Sequence, residues 1–290
     1  MGYRLVLWDV DMTLVACGPI GREITAEAFH ELTGTVQRER PPYAGRTEAQ
    51  ILAHTLRLHG LDPAGYPLAD YTAALVRGYR RRHAELAATG CVLPGVVQAL
   101  DAITAAGVPQ SVVTGNPREV AAAKLSAFGL DAALELDRGG YAEDGEHRRD
   151  LVRAAISRAR PVHGGPLAPG EVLVVGDTPN DVRAAHALGA ASLAVVTGFA
   201  TQAELAAERP EALLPDLSDT AAVLSLVTAG APGTEPAATG GDRLVTGHDP
   251  DGHDPDETGP RRTPPDAAWG DRVRPVERPG RRRAAEADRP

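Results

Sequence analysis

Two aspartates and a threonine stand together near the start of the chain, in Trp8-Asp9-Val10-Asp11-Met12-Thr13-Leu14, directly after the apolar run Leu5–Trp8. One carboxylate can attack an electrophile, splitting a hydrolysis into formation and breakdown of a covalent intermediate. A second, placed beside it, can move protons in both halves. Farther on, the run Gln110–Val113 ends in Thr114-Gly115-Asn116, where a hydroxyl and backbone N–H groups suit phosphoryl oxygens. A third run ends in Val175-Gly176-Asp177-Thr178-Pro179-Asn180-Asp181. Asp9, Asp11, Asp177 and Asp181 would repel one another if gathered without a cation, and an all-oxygen donor set suits a hard ion, magnesium above all. Each piece also has a plainer use, since acids after strands cap helices.

The elements around these residues decide whether they meet. Leu5–Trp8, Ser111–Val113, Ala132–Leu136, Val172–Val175 and Ser192–Val196 read as strands of a parallel sheet covered on both faces. Most are followed by segments rich in Ala, Leu and Arg, so the class is α/β, a three-layer Rossmann-like core. Leu93-Pro94-Gly95 opens a helix to about Ala106, Asn116-Pro117 one ending near Gly129, and Thr178-Pro179 one ending at Gly189. Proline in the first turn and glycine past the last is the expected asymmetry. In such sheets ligands bind where the strands end, and every acid above follows a strand.

Between the first strand and Leu93 no strand is expected, while Glu23–Leu32, Glu48–His59 and Leu68–Ala88 read as helices. That is too long for a strand-to-helix connection. Residues 15–90 are therefore expected to form a helical cap inserted into a core made of residues 1–14 and 91–228. From about Ala229 the composition turns to Gly, Pro, Asp and Arg, so residues 229–290 are expected to be a disordered, low-complexity tail. It repeats Gly-His-Asp-Pro-Asp at 247–251 and 252–256 and carries Arg281–Arg283, a conceivable but unsupported contact for a protein partner.

The remaining composition narrows the classes. The 290 residues carry a net charge of −9 with no basic stripe, which argues against nucleic acid. Cys17 and Cys91 lack metal-ligand or disulfide spacing and read as small buried residues. No apolar stretch reaches the roughly 18 residues a membrane helix needs, so a cytoplasmic location is expected.

In this order and spacing, Asp9–Thr13, Thr114 and Gly176–Asp181 resemble three of the four motifs of the haloacid dehalogenase superfamily, and the helical insertion matches the cap of its phosphoglycolate-phosphatase-like members. The resemblance implies that Asp9 is the nucleophile and Asp11 the general acid and base. Magnesium would be held by Asp9, the Asp11 carbonyl and Asp177, with Asp181 in support. The phosphoryl group would meet Thr114, Gly115 and Asn116. The substrate implied is a small phosphorylated metabolite, hydrolysed as a phosphate monoester through an aspartyl-phosphate. The alternatives are a phosphomutase of the same superfamily and a non-catalytic binding protein on this fold. The fourth motif is usually a lysine. The only lysine, Lys124, lies in the helix after Thr114, out of place for that motif, so Arg148 is the expected substitute, with Arg149 as runner-up. In the cap, Gly45-Arg46-Thr47 would face the site, giving Arg46 and Thr47 as substrate contacts, although Thr47 with Gln50 also fits a capping box. Met12 stands where glycine is common, so that turn must keep a negative φ or accept strain.

Overall fold

The computed structural model describes residues 2–159 and 167–230. The expected tail, its repeat and its arginine cluster fall outside them, except for Ala229 and Gly230, which close the last helix. Five parallel strands form the sheet: β1 (Leu5–Trp8), β4 (Gln110–Val112), β5 (Val172–Gly176), β6 (Ala191–Val195) and β7 (Ala212–Leu214), in the order β4-β1-β5-β6-β7. The antiparallel pair β2 (Val15–Ala16) and β3 (Cys91–Val92) joins the chain on either side of the helical insertion.

Alternation along β1 builds the layers. Val6 and Trp8 enter one core cluster with Val112, Leu173 and Val175, while Leu5 and Leu7 enter the other with Val172 and Val174. The first cluster is closed by α5 (Val96–Ala105), α6 (Arg118–Phe128) and α10 (Thr220–Ala229), the second by α7 (Arg148–Ala159) and α8 (Pro179–His186). Each fully buried leucine or valine contributes about 1.5–3 kcal/mol, which sets the sheet edge rigidly enough to carry a site. Trp8 is buried with its indole donating to Gln110 Oε1 at 3.1 Å. Gln110 Nε2 in turn donates to the Leu100 carbonyl at 2.9 Å and Thr104 Oγ1 at 3.0 Å. The strand that ends at Asp9 is thus pinned to its neighbour by side chains as well as by its ladder.

Four helices, α1 (Gly18–Thr33), α2 (Glu48–Leu58), α3 (Leu68–Arg81) and α4 (His83–Thr89), form the helical cap region. Ile24, Phe29, Leu75 and Tyr79 from these helices share one cluster with Val120 and Leu125 of α6, so cap and core are packed together. Where a single helix is expected over Leu68–Ala88, the chain breaks at Arg82 (φ −99°, ψ 20°), and that guanidinium pairs with Glu23, Glu27 and Glu85.

The strand expected at Ala132–Leu136 is not formed. Asp131–Ala133 and Leu136–Arg138 are 3₁₀ turns whose own bonds, Leu134 N to Asp131 O and Gly139 N to Leu136 O, capture groups a ladder would need. Single contacts remain along the edge of β4, from Glu135 N to Gln110 O at 2.8 Å and from Gly140 N to Val112 O at 2.9 Å. β2 and β3 also contradict the strandless reading of the region before Leu93; two residues each are too short to show a period. Among the described residues no helix is long and apolar enough to cross a membrane.

Candidate active site

Asp9 follows β1 directly, its amide donating to the Val175 carbonyl at 2.8 Å, and Asp177 follows β5. Asp181 lies in the first turn of α8, where Oδ2 accepts from Thr178 N at 3.0 Å and Thr178 Oγ1 at 2.7 Å. The plain capping use of an acid is therefore present, and it spends one oxygen only. Carboxylate oxygens of Asp9, Asp177 and Asp181, all buried, lie within 4.8 Å of one another. Thr13 Oγ1 donates to Asp177 Oδ1 at 3.3 Å, and Gly198 passes so close that a Cβ there would fall 1.7 Å from Asp177 Oδ2.

Arg148 opens α7 and reaches back under this cluster. Its Nη2 is 2.6 Å from Asp9 Oδ1, and its Nε is 2.5 Å from Asp181 Oδ1 without hydrogen-bond alignment, so the second contact is one of charge. Arg149, the runner-up, points to solvent. Burial pushes the Asp9 carboxyl up to about 6, with Arg148 opposing and Asp181 and Asp11 adding repulsion. Asp177 is raised well above the carboxylate range by burial first, then by Asp9 and Asp181. Arg148 rises despite burial, held cationic by Asp181 and Asp9. Carboxylates pushed up by one another are a donor set suited to a divalent cation, and the aspartate cluster is able to coordinate one.

Asp11 turns away from that cluster. Its Oδ2 accepts from Asn116 Nδ2 at 2.6 Å, and its two oxygens accept from Lys124 Nζ at 2.9 and 2.8 Å. Burial raises this carboxyl, but Lys124 and Asn116 outweigh it and hold it below the usual range. Only the backbone of Asp11 remains for the metal role assigned to it. Lys124, read in the sequence as out of place for the fourth motif and given no role, reaches the site through Asp11. The legible signal was the chain's one lysine on the apolar stripe Val120, Ala121, Leu125 and Phe128 of α6. Directly after Asp11, Met12 takes φ +65°, the strained alternative, and Thr197 Oγ1 donates to its carbonyl at 2.5 Å.

Thr114 is buried, its hydroxyl accepting from Asn116 Nδ2 at 2.8 Å. Gly115 permits the cap loop to dock: a Cβ there would fall 2.1 Å from the Arg46 carbonyl, and Glu48 N donates to Gly115 O at 2.8 Å. On the other side of the loop, Asn180 Nδ2 donates to Gly45 O at 3.0 Å. Arg46 lines the cavity beside its partner His54, Nη1 lying 3.2 Å from Nδ1. Thr47 is buried, caps α2 in a box with Gln50, and is absent from the cavity wall. The cavity, about 180 Å³, is walled by Asp9, Asp11, Asn116, Arg148 and Asp177 from the core and by Arg22, Arg40 and Tyr79 from the cap side.

The family model for haloacid dehalogenase-like hydrolases matches residues 3–189, more than half of the chain. The chain belongs to that family. Phosphoglycolate phosphatases of Shigella boydii and Escherichia coli are each 26% identical to this hydrolase over 219 residues, covering 75% of the chain and 84% of those proteins. CbbY from Rhodobacter sphaeroides, solved as a mutant in complex with xylulose-(1,5)bisphosphate, superposes with a TM-score of 0.60 at 21% identity, over 75% of this chain and 96% of that one. That likeness is one of fold. The aspartate cluster is the candidate active site of this hydrolase, and its composition is consistent with magnesium-dependent phosphoester chemistry.

Proposed function

We propose that this hydrolase is a magnesium-dependent phosphatase for small organic phosphate monoesters, acting through an aspartyl-phosphate on Asp9. The observation that carries the reading is the buried group of Asp9, Asp177 and Asp181 with Arg148 bridging Asp9 and Asp181. Magnesium would be held by Asp9, Asp177 and the Asp11 carbonyl, with Asp181 in support, and when bound it lets a carboxylate and a phosphate, both anionic, approach each other.

The chain's own groups do the rest. Arg148 keeps the Asp9 oxygen in place and offers its planar fork to the phosphoryl group. Thr114, with the Gly115 and Asn116 backbone, receives phosphoryl oxygens at the end of β4. Asp11, on the cavity wall, serves the ester oxygen as acid and then water as base. The cap loop at Gly45–Arg46 covers the site, and Arg46 contacts the substrate. The small cavity supports small substrates, below the usual range of about 300–1,000 Å³ for drug-sized ligands. The 26% identity to phosphoglycolate phosphatases makes phosphoglycolate the first ester to try. A cytoplasmic location fits such metabolites.

The test is phosphate release from a panel of phosphorylated metabolites, with magnesium and with chelator, alongside Asp9→Asn. Magnesium-dependent release abolished in the variant is expected. Turnover that survives in Asp9→Asn would falsify the reading, and a phosphate relocated on a sugar rather than released would make the protein a mutase.

A further inference from the structure

Lys124 has no part in the steps just described, and its position is costly. Its side chain is 7% exposed, on a helix stripe that valine, leucine and phenylalanine otherwise occupy. A methionine or leucine there would fill the space without burying a charge. All three ammonium hydrogens have acceptors: Asp11 Oδ1 at 2.9 Å, Asp11 Oδ2 at 2.8 Å and Asn116 Oδ1 at 2.8 Å. Tyr79 of α3 presents its ring face 5.2 Å from Nζ on a further side. An ammonium so fully engaged has no donor left with which to grip a substrate.

We propose that Lys124 is a positioning residue: with Asn116 it holds the Asp11 carboxylate in the orientation from which it serves the leaving oxygen. The Asn116 amide is fixed in the same network, its oxygen toward Lys124 and its nitrogen toward Asp11 and Thr114. Asp11 thus has four donated contacts from three residues, the weakest from Cys17 Sγ at 3.9 Å, enough to select one rotamer and leave its outer edge on the cavity. Stability alone is a weak reason for burying the lysine of such a pair, since an ionic group taken out of water is often no better than a hydrophobic replacement. Fixing the direction of a proton-transfer group is a stronger one, because small misplacements at a reacting centre cost large factors in rate.

The inference rests on the proposed role of Asp11, and the test separates the two. Magnesium-loaded full-length protein is assayed with phenyl phosphate, whose leaving group benefits from a proton, and with 4-nitrophenyl phosphate, whose leaving group departs without one. The quantity read is kcat/KM, which reports phosphoryl transfer and excludes the later attack of water. Lys124→Met is expected to lower it about 30-fold for phenyl phosphate and about threefold for 4-nitrophenyl phosphate, a fraction of the range for a general acid. Asn116→Ser should show the same split, and it is the variant to read if Lys124→Met folds poorly. Equal losses on both esters would mean a merely structural lysine and overturn the proposal. If Asp11→Asn itself treats the two esters alike, the role of Asp11 fails and this inference with it. A crystal structure of Lys124→Met gives an activity-independent readout. The Asp11 carboxylate is expected to leave Asn116 Nδ2, and an unchanged contact there would refute the positioning role.

Discussion

The two sides of the site each bury one cation against aspartate, and they use it differently. Arg148 spans two acids from different elements, Asp9 directly after β1 and Asp181 in the first turn of α8, with the proposed nucleophile as one of its partners. Lys124 spends both of its ionic contacts on a single acid, Asp11, and its third on the amide of Asn116. Both side chains are 7% exposed, so burial does not distinguish them. Arginine's rigid fork suits a bridge between two oxygens that must also meet phosphate; lysine's compact charge suits an anchor for one carboxylate. On the proposed roles, the nucleophile side gathers charge around a reacting phosphorus, and the acid–base side aims one group.

The largest effects should come from breaking the nucleophile side. Asp9→Asn and Asp177→Asn are each expected to lower magnesium-dependent phosphate release by roughly 10⁴-fold or more, the scale on which removal of a nucleophile is felt. Arg148→Met should cost about 10²–10³-fold, as for other charge-stabilising donors. If Arg148 serves phosphoryl transfer itself, as proposed, that loss should be the same for phenyl and 4-nitrophenyl phosphate. A leaving-group-dependent loss in Arg148→Met would erase the division between the two sides.

A smaller change sharpens the same division without touching a charged residue. In Gly198→Ala the new methyl would fall 1.7 Å from Asp177 Oδ2, so that carboxylate must shift. The magnesium concentration for half-maximal activity is expected to rise about tenfold, the lower end for a disturbed supporting residue. The preference between the two aryl esters should not move. In Gly115→Ala the methyl would meet the Arg46 carbonyl at 2.1 Å, so the cap loop is pushed off and KM rises with magnesium dependence intact.

How much of this was legible depended on chain position. Asp9 and Asp177 follow strands, Asp181 opens the next helix, and strand ends converge in a parallel sheet, so the meeting of these three could be read from the apolar runs and the motif after each. Arg148 is expected only through the resemblance, at the place of the fourth motif's usual lysine, and its neighbour Arg149 is separable only by which face of α7 is buried. Lys124 sits in mid-helix, where no local rule says what the side chain reaches across the core. Thr47 shows the converse. Its capping box with Gln50 was readable and formed, and that commitment is what keeps the hydroxyl off the cavity wall. The strand expected at Ala132–Leu136 failed because two 3₁₀ turns close locally, a competition invisible in the apolar pattern.

The smallest expected effect is on stability and follows from the different charge states of the two sides. The Asp9 carboxyl is pushed up to about 6 from an ordinary 3.8, so between those values the folded protein binds a proton that the unfolded chain has released. In chelator-treated protein the stabilisation from this group is full below about pH 3.8 and lost as pH rises through about 6. Asp177, also raised by burial and by Asp9 and Asp181, acts in the same direction. Asp11, held low by Lys124 and Asn116 against the effect of burial, contributes oppositely, with stability present above the ordinary carboxylate range and lost only on strong acidification. Each pKa unit is worth about 1.4 kcal/mol, enough to register in a melting curve. Asp9→Asn removes the first contribution while Arg148 keeps Asp181 as a partner, so without magnesium the variant should melt above the wild type at pH 7.5 and lose that advantage by pH 4. Saturating magnesium should raise the wild type more than the variant, because only the wild type offers the ion the Asp9 carboxylate. A variant that melts lower at pH 7.5 in chelator would mean that the Asp9–Arg148 attraction outweighs the burial of the carboxylate, and that the nucleophile side is held together by its own charges as firmly as Lys124 holds Asp11.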